Sequence, residues 1–246
     1  MKVLWRYLPL ALLALAWEAA PRLRLIDPTQ LPPLSAVAVA WWDLLRSGDL
    51  AGNGLSSLQN LLAGLLLGVV VGVALGVLMA RYRALDELVH PLVKALYPMP
   101  KSALIPVMIL WLGLGSASKI ASVFLGCLLP VVLSAYNGAR GVDRVLVWSA
   151  LSAGANRRAV VWEVVLPAAL PEILAGARNA LALSFILLVT SEFLIGQRGL
   201  GYLISFLGEG GSYAAMFAGV LTVAAFGFLA DRLYLVAMRR VLAWRE

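Results

Sequence analysis

The sequence has few charged residues, a single cysteine and a single histidine. Charged residues make up 13% of its 246 positions, about half of the share of about 25% that soluble domains carry. Cys127 alone cannot form a disulfide within the chain, and His90 alone cannot build a metal site or a Ser-His-Asp or Cys-His catalytic centre. We therefore predict no catalytic residues, no metal site and no enzyme activity for this chain.

Apolar residues are in excess. They make up 62% of the chain, and the mean hydropathy is +0.90. A water-soluble monomer of this size could not bury so much apolar surface, and a disordered chain would be far more polar. The length allows five or six helical spans of about 20 residues each. The predicted fold is therefore an all-α polytopic membrane protein with about six transmembrane helices.

Six apolar segments, separated by polar or by proline- and glycine-rich connections, account for these helices. They are 1–20, 58–80, 88–114, 120–136, 168–195 and 213–238. The first segment fits either a cleaved signal peptide ending near Ala19-Ala20 or a retained span, and the spans that follow favour the second interpretation. Four prolines interrupt the third segment and predict a bend around Pro98–Pro100.

These segments divide the chain into two predicted regions. Residues 1–54 hold the first transmembrane helix, an external loop and a short amphipathic helix over 35–46, whose tryptophan pair suits the membrane interface. Residues 55–246 hold a five-helix core with a polar loop at about 138–167.

Lysine and arginine are unequally distributed between the connections, which predicts the orientation. If the amino terminus is cytoplasmic, the predicted inner segments carry eleven of these residues and the outer segments carry five. This asymmetry follows the positive-inside rule. Both termini and the 138–167 loop are therefore predicted to be cytoplasmic. The net charge of +7 is thereby explained by membrane topology, without nucleic-acid binding.

The second predicted span carries glycines at a strict four-residue spacing. They are Gly64, Gly68, Gly72 and Gly76. Residues four apart lie on one face of a helix, so these glycines form a stripe without side chains. Such a stripe lets a neighbouring helix approach closely, and we predict helix packing rather than ligand binding.

Polar and ionisable side chains within apolar segments are candidate pathway residues, because spans rarely carry such groups without a function. These candidates are Lys101, Arg178, Thr190, Ser191 and Glu192, and Tyr97 and Met99 beside the predicted bend are added to them. Glu192 either shapes the pathway or caps helical structure in the glycine-rich connection 196–212. Arg178 and Lys101 either line the pathway, where they would favour anions, or reach the inner interface. His90 is predicted to be a loop residue.

Residues 142–171 are too polar to span a membrane, yet they show helical periodicity followed by Gly154, which predicts a helix–turn–helix. Their spacing resembles the EAA loop of ABC importer permeases: EAA, three residues, Gly, nine residues, a branched aliphatic residue, one residue, Leu-Pro. The corresponding positions are Trp148-Ser149-Ala150, Gly154, Val164 and Leu166-Pro167. The Gly and the Leu-Pro match the family, and of EAA only Ala150 is kept. Where the family has glutamate this sequence has Trp148, which offers hydrophobic docking in place of an ion pair.

Three further stretches resemble the sulfonate, taurine and nitrate type of these permeases. They are 97–120, 164–185 and 191–204. The resemblance implies a type I ABC importer permease fold. It also implies that the loop, including Ala155 beside the glycine, is the coupling element for an ATPase.

The resemblance further implies an assembly in a bacterial inner membrane. The expected partners are a second, identical permease subunit, a cytoplasmic ABC ATPase dimer, an extracytoplasmic solute-binding protein and membrane lipid. The sequence contains no G-x-x-x-x-G-K-[ST] phosphate loop. ATP and Mg²⁺ are therefore expected on the ATPase, and no cofactor is expected on this chain.

The cargo implied by the resemblance is a small oxyanion of the sulfonate, taurine, nitrate or carboxylate type. One alternative is a neutral heterocycle such as a pyrimidine, carried by the same class of transporter. Another is a secondary transporter that works without nucleotide. Such a transporter should carry coupling-ion carboxylates at mid-span, and only Glu192, toward the outer end of the fifth segment, comes near.

Overall fold

A computed structural model describes residues 2–245 and, among them, the side chains of 8–194 and 196–244. This part of the chain is helical and contains no strand. Its helices are α1 (Lys2–Arg22), α2 (Leu34–Arg46), α3 (Asp49–Arg81), α4 (Arg83–Leu96), α5 (Ile105–Leu112), α6 (Ser116–Arg140), α7 (Arg144–Ser152), α8 (Arg157–Ala159), α9 (Leu166–Ile195), α10 (Leu200–Glu209) and α11 (Tyr213–Val241). A 3₁₀ turn occupies Lys101–Leu104, a π-helical turn occupies Val160–Val165, and a final 3₁₀ turn occupies Ala243–Arg245.

Four helical stretches of the described chain are long and apolar enough to cross a membrane. They are Asp49–Arg81, Ser116–Arg140, Arg157–Leu194 and Tyr213–Val241. The pair Arg83–Leu96 and Lys101–Leu112 supplies a fifth as one broken span, bent by 95°. The bend confirms the break predicted around Pro98–Pro100. The first predicted span corresponds to α1, but Met1 and the side chains of 2–7 lie outside the described residues.

Contacts divide the chain into two compact units, and the first comprises Met1–Ser57 with Glu192–Phe226. Here the predicted amphipathic helix is confirmed as α2, and Ser35 at its start donates from its backbone N–H and its hydroxyl to the Glu18 carboxylate. In the preceding loop the backbone N–H and hydroxyl of Thr29 donate to Asp27 at 2.8 and 2.7 Å. These bonds hold the pKa of the Asp27 carboxyl below its usual range.

The first unit also contains a helix that the sequence did not predict. Residues 196–212, predicted as a loop because of their glycines, include the ten-residue helix α10. Leu200 and Leu203 of α10 are buried with Leu50 of α3 in a small apolar core. The apolar face of α10 is therefore satisfied by a helix distant in sequence.

The second unit comprises Leu58–Ser191 with Gly227–Glu246, and its core lies between α3, α6 and α9. A polar cluster joins α4 to α6: the Tyr136 hydroxyl donates to Asp86 at 2.8 Å and accepts from the Arg140 guanidinium. His90 lies 3.2 Å from Asp86 and stacks edge-on against Tyr136. The prediction that His90 lies in a loop was therefore wrong. His90 lies within α4, and the helix accommodates the neighbouring Pro91 in its interior.

Candidate coupling and translocation sites

The polar loop after α6 folds as a short helix, a turn and a second helical start. Asp143 caps α7 by accepting from the backbone N–H of Val145 at 2.8 Å. Asn156 caps α8 by accepting from the N–H groups of Arg158 and Ala159. Gly154 lies between the two caps with φ +90°, in the left-handed region that favours glycine. Local hydrogen bonding thus defines both ends of the turn.

The surface of α7 carries unusually large exposed apolar side chains. Trp148 is 61% exposed, and three further apolar residues are also exposed: Val145, Leu146 and Leu151. Ser149 is exposed as well, while Ala150 and Ala155 are partly buried. A patch of this kind on a loop helix is typical of a protein-interaction surface. We call Val145, Leu146, Trp148 and Leu151 the α7 apolar patch.

The loop enters the α9 span through a π-helical turn. The N–H of Leu166 donates to the carbonyl of Val161, five residues earlier, rather than four as in an α-helix. Pro167 follows immediately and has no N–H to donate. The Leu166-Pro167 pair therefore marks the point at which α-helical hydrogen bonding begins again.

A cavity of about 350 Å³ lies beside the broken span. Tyr97, Lys101 and Ser102 line it from the break, and side chains of α6 and α9 complete the wall: Gly126, Leu129, Pro130, Leu183, Ile186 and Leu187. This volume lies within the range of about 300–1,000 Å³ typical of small-molecule sites. Met99, the remaining candidate from this segment, is exposed and is not among the lining residues.

Among the described residues that line this cavity, Lys101 is the only lysine or arginine. Its ammonium donates to the carbonyl oxygens of Leu96 at 3.0 Å and Tyr97 at 2.5 Å. These carbonyls end α4, where the helix dipole favours a cation. An ammonium has three donors, so two bonds to the backbone leave one donor for a ligand.

Arg178, the other candidate cation, forms an ion pair across two helices. Its guanidinium donates to both carboxylate oxygens of Asp231 in α11, from Nε at 2.7 Å and from Nη2 at 3.1 Å. This bidentate arrangement occupies the planar donor fork of the arginine. Sequence spacing gave no sign of the pairing, because 53 residues separate the two positions.

The three polar candidates at the end of α9 make different contacts. The hydroxyls of Thr190 and Ser191 donate to carbonyls of their own helix, those of Ile186 and Leu188. Glu192 is fully buried, and its carboxyl oxygen Oε2 accepts from the Ser57 hydroxyl at 2.7 Å and from the Gly201 N–H at 3.1 Å.

Glu192 belongs to a group of side chains that satisfy the first N–H donors of α10. The N–H of Gly199 donates to the Asn53 amide oxygen at 2.8 Å, and the N–H of Leu200 donates to the Ser57 hydroxyl at 2.8 Å. We call Asn53, Ser57 and Glu192 the α10 cap. Asn53 and Ser57 were not predicted as site residues, although their four-residue spacing places both on one face of α3.

The four glycines of α3 lie directly against α6. A Cβ atom built on Gly64, Gly68 or Gly72 would meet the Cβ of Val123, Cys127 or Val131 at 2.6, 2.7 and 2.9 Å. One built on Gly76 would meet the carbonyl oxygen of Val132 at 2.5 Å. Real Cβ atoms almost never make such contacts. Any side chain at these positions would therefore force the helices apart.

These features define an all-helical, multi-pass membrane protein with a broken span, a cavity beside the break and a helical loop leading into a proline-bearing span. The chain belongs to the family described as binding-protein-dependent transport system inner membrane component, which matches residues 64–243.

Two curated relatives are similar over nearly the whole chain. The taurine transport system permease protein TauC of Escherichia coli K12 is 32% identical over 240 residues, 96% of this chain and 87% of that protein. The putative aliphatic sulfonates transport permease protein SsuC of Bacillus subtilis 168 is 32% identical, over 97% of this chain and 86% of that protein.

A third relative and a solved structure extend the comparison. The riboflavin transport system permease protein RibX of Chloroflexus aurantiacus is 38% identical over 80% of this chain and 73% of that protein. A structure of the MetNI methionine ABC transporter in an inward-facing conformation matches with a TM-score of 0.68 at 20% identity, over 80% of this chain and 97% of that chain. The structural match supports the type I importer permease fold.

The protein is thus a permease subunit of an ABC importer, as the sequence predicted, and lies in the membrane with several spans. A permease of this family works with an ATPase and a solute-binding protein. Family membership also decides against a secondary transporter that works without nucleotide.

Proposed function

We propose that two copies of this chain form the translocation pathway of an importer, with an ABC ATPase dimer docked on the α7 apolar patch. The observation that carries the proposal is the exposed Trp148 on a helix held between two caps. A cytoplasmic position for both termini and for this loop is supported by the arginine-rich connections. ATP and Mg²⁺ then bind to the ATPase, and this chain contributes conformational change rather than chemistry.

The capped geometry suits the transmission of motion. Asp143 and Asn156 fix both ends of the turn, so a displacement of α7 is passed on rather than absorbed. The π-helical turn then leads the chain directly into the α9 span. In this proposal Ser149, Ala150, Gly154 and Ala155 shape the docking surface, and Leu166-Pro167 passes its movement to α9.

Trp148→Ala and Gly154→Asp are expected to weaken ATPase association and to abolish stimulated transport. Truncating a central tryptophan at an interface commonly costs about 2 kcal/mol, which corresponds to about a thirtyfold loss of affinity. A side chain at Gly154 opposes its positive φ. The measurement is co-purification of the ATPase together with ATP hydrolysis stimulated by the binding protein in proteoliposomes.

Trp111→Ala is the matched control, because Trp111 is similarly exposed but lies at the end of α5. This control should keep normal ATPase binding. Normal binding and normal stimulation in both loop variants would contradict the assignment of α7 as the docking element.

We infer that the cargo is a small organic oxyanion, of the aliphatic sulfonate or carboxylate type, and that it passes the cavity beside the broken span. The third N–H donor of Lys101 supports this inference, because a charged donor facing a mostly apolar cavity favours an anion. The similarity to TauC and SsuC points the same way. Arg178 contributes less in this proposal, since Asp231 already occupies its donor fork.

RibX favours a second candidate, because a flavin is a heterocycle and the identity to RibX is 38%. An uncharged heterocycle would contact the apolar wall of the cavity and Tyr97 rather than Lys101. The two candidates therefore differ in their dependence on the lysine.

Lys101→Met is expected to lower taurine uptake about tenfold or more in proteoliposomes supplied with the binding protein and ATPase. The reason is that a hydrogen bond to a charged group contributes about 1.5–3 kcal/mol. Lys101→Arg should restore most of the uptake. Lys94→Met, which removes an exposed lysine of α4 outside the cavity, is the control. Full taurine uptake by Lys101→Met would contradict the anion assignment, and riboflavin uptake independent of Lys101 would favour the second candidate.

A further inference from the structure

A long groove of about 1010 Å³ runs along α3 in the second unit and is separate from the cavity beside the broken span. Its apolar wall is formed by α3 and by the segment leading into α9, with Val69, Val73, Val77, Trp162 and Leu166 among the lining residues. The residues of α3 that line the groove lie on a different face of the helix from the glycine stripe. The helix α6, which packs on the stripe, therefore does not fill the groove.

Basic and aromatic side chains line the end of the groove where α3 stops. Arg81, Arg157 and Arg158 are all exposed and all line it. None of the ion pairs in the described part of the chain involves these three arginines. Tyr82 and Trp162 are exposed beside them, and aromatic rings of this kind prefer the headgroup level of a membrane.

The length of the groove matches one leaflet of a bilayer. Twelve residues separate Val69 from Arg81, which at 1.5 Å per residue gives about 18 Å along the helix. Half of the hydrocarbon core of a bilayer measures about 15 Å. A molecule with a phosphate beside the arginines would therefore have its hydrocarbon chain along the valines of α3.

We propose that this groove binds one anionic phospholipid of the membrane. An acyl chain lies on the α3 valines, and the three arginines hold the phosphate. Basic pockets between transmembrane helices at the cytoplasmic surface are suited to such headgroups. The volume exceeds what an inorganic ion needs, and the apolar wall gives such an ion no contacts.

Charge argues against a second copy of the chain as the occupant. A helix packed into the groove would remove three guanidinium groups from water unless it placed carboxylates against them, and desolvating an uncompensated charge is strongly unfavourable. An anionic lipid supplies the missing charge and leaves the arginines at the membrane surface.

The test is native mass spectrometry of the purified permease complex, after incorporation into nanodiscs that contain phosphatidylglycerol and phosphatidylcholine. We expect one phosphatidylglycerol retained per permease copy. Arg157→Gln with Arg158→Gln should lower this retention at least fivefold. Ala74→Phe should do the same, because Ala74 lines the groove and the ring would occupy it.

Two controls match these variants. Arg239→Gln with Arg240→Gln removes two exposed arginines at the end of α11, and Val71→Phe adds a ring to an exposed position of α3 outside the groove. Both should retain the lipid. Equal retention in test and control variants, equal retention of phosphatidylcholine, or a disulfide between two copies of Ala74→Cys would each overturn the proposal. The readout is bound lipid, so it does not depend on ATPase docking or cargo.

Discussion

Gly199→Ala is expected to remove most of the folded, detergent-extractable permease. Gly199 has φ +118°, a conformation that side chains strongly disfavour. A Cβ there would overlap the Glu192 carboxyl group, which is fully buried. The substitution would therefore displace the carboxyl from the Gly201 N–H and the Ser57 hydroxyl as well as strain the backbone.

The expected loss of folded permease is large because the backbone strain at Gly199 and the broken hydrogen bonds of Glu192 occur together. Backbone strain of this kind costs about 1–3 kcal/mol, and each buried donor or acceptor that loses its partner costs about 1–3 kcal/mol more. The measurement is the amount of monodisperse permease in size-exclusion chromatography, together with its thermal midpoint. Gly211→Ala is the control, because Gly211 also has a positive φ, +73°, but no atom lies within 4 Å of its built Cβ.

Similar yields and midpoints for these two variants would contradict the importance of the α10 cap. Glu192→Gln refines the result by retaining the shape of the side chain while replacing the carboxyl group by an amide. It should fall between the wild type and Gly199→Ala, because the Gly201 N–H retains an acceptor.

Gly72→Leu is expected to reduce assembled permease severely by separating α3 from α6. The built Cβ already meets Val131 Cβ at 2.9 Å and the Leu128 carbonyl at 3.2 Å, and leucine adds three further carbons. Overpacking a dense core commonly costs about 1–3 kcal/mol. Within a membrane the loss of close packing between α3 and α6 matters more, because close packing, rather than exclusion of water, holds helices together.

Gly52→Leu provides the comparison on the same helix. Gly52 is exposed and has no atom within 4 Å of its built Cβ, so leucine there meets open space. Membrane insertion of both variants is measured by carbonate extraction, and assembly by chromatography of the detergent extract. An assembled yield of Gly72→Leu equal to that of Gly52→Leu would show that the α3–α6 contact tolerates widening.

Local patterns were sufficient to predict the five candidate spans from α3 to α11 and the helical loop. The glycine spacing indicated a close helix contact, and α6 lies there; the prolines around residue 98 indicated a bend, and the helices turn by 95°. Both signals are local, since glycine and proline act on their own backbone.

Features that depend on distant residues were not predictable in this way. The glycines of residues 196–212 predict a loop, because glycine disfavours helices. The helix α10 forms there because Asn53 and Ser57, more than 140 residues earlier, satisfy its first donors. The choice between a pathway and a capping role for Glu192 likewise depended on contacts that the sequence does not encode locally. Arg178 was predicted to line the pathway or to reach the inner interface, and its ion pair with Asp231 depends on a residue 53 positions away.

The π-helical turn over 160–165 fixes the angle around the α9 axis at which the loop leaves the span. Each residue advances an α-helix by about 100°, and a π turn holds one residue more than an α turn before the helix resumes at Leu166. Adding or deleting one residue in the π-helical turn would rotate Trp148 about a quarter of the way around the α9 axis. Every side chain of the α7 apolar patch would remain unchanged. The direction in which the patch faces is therefore set by residue count rather than by composition.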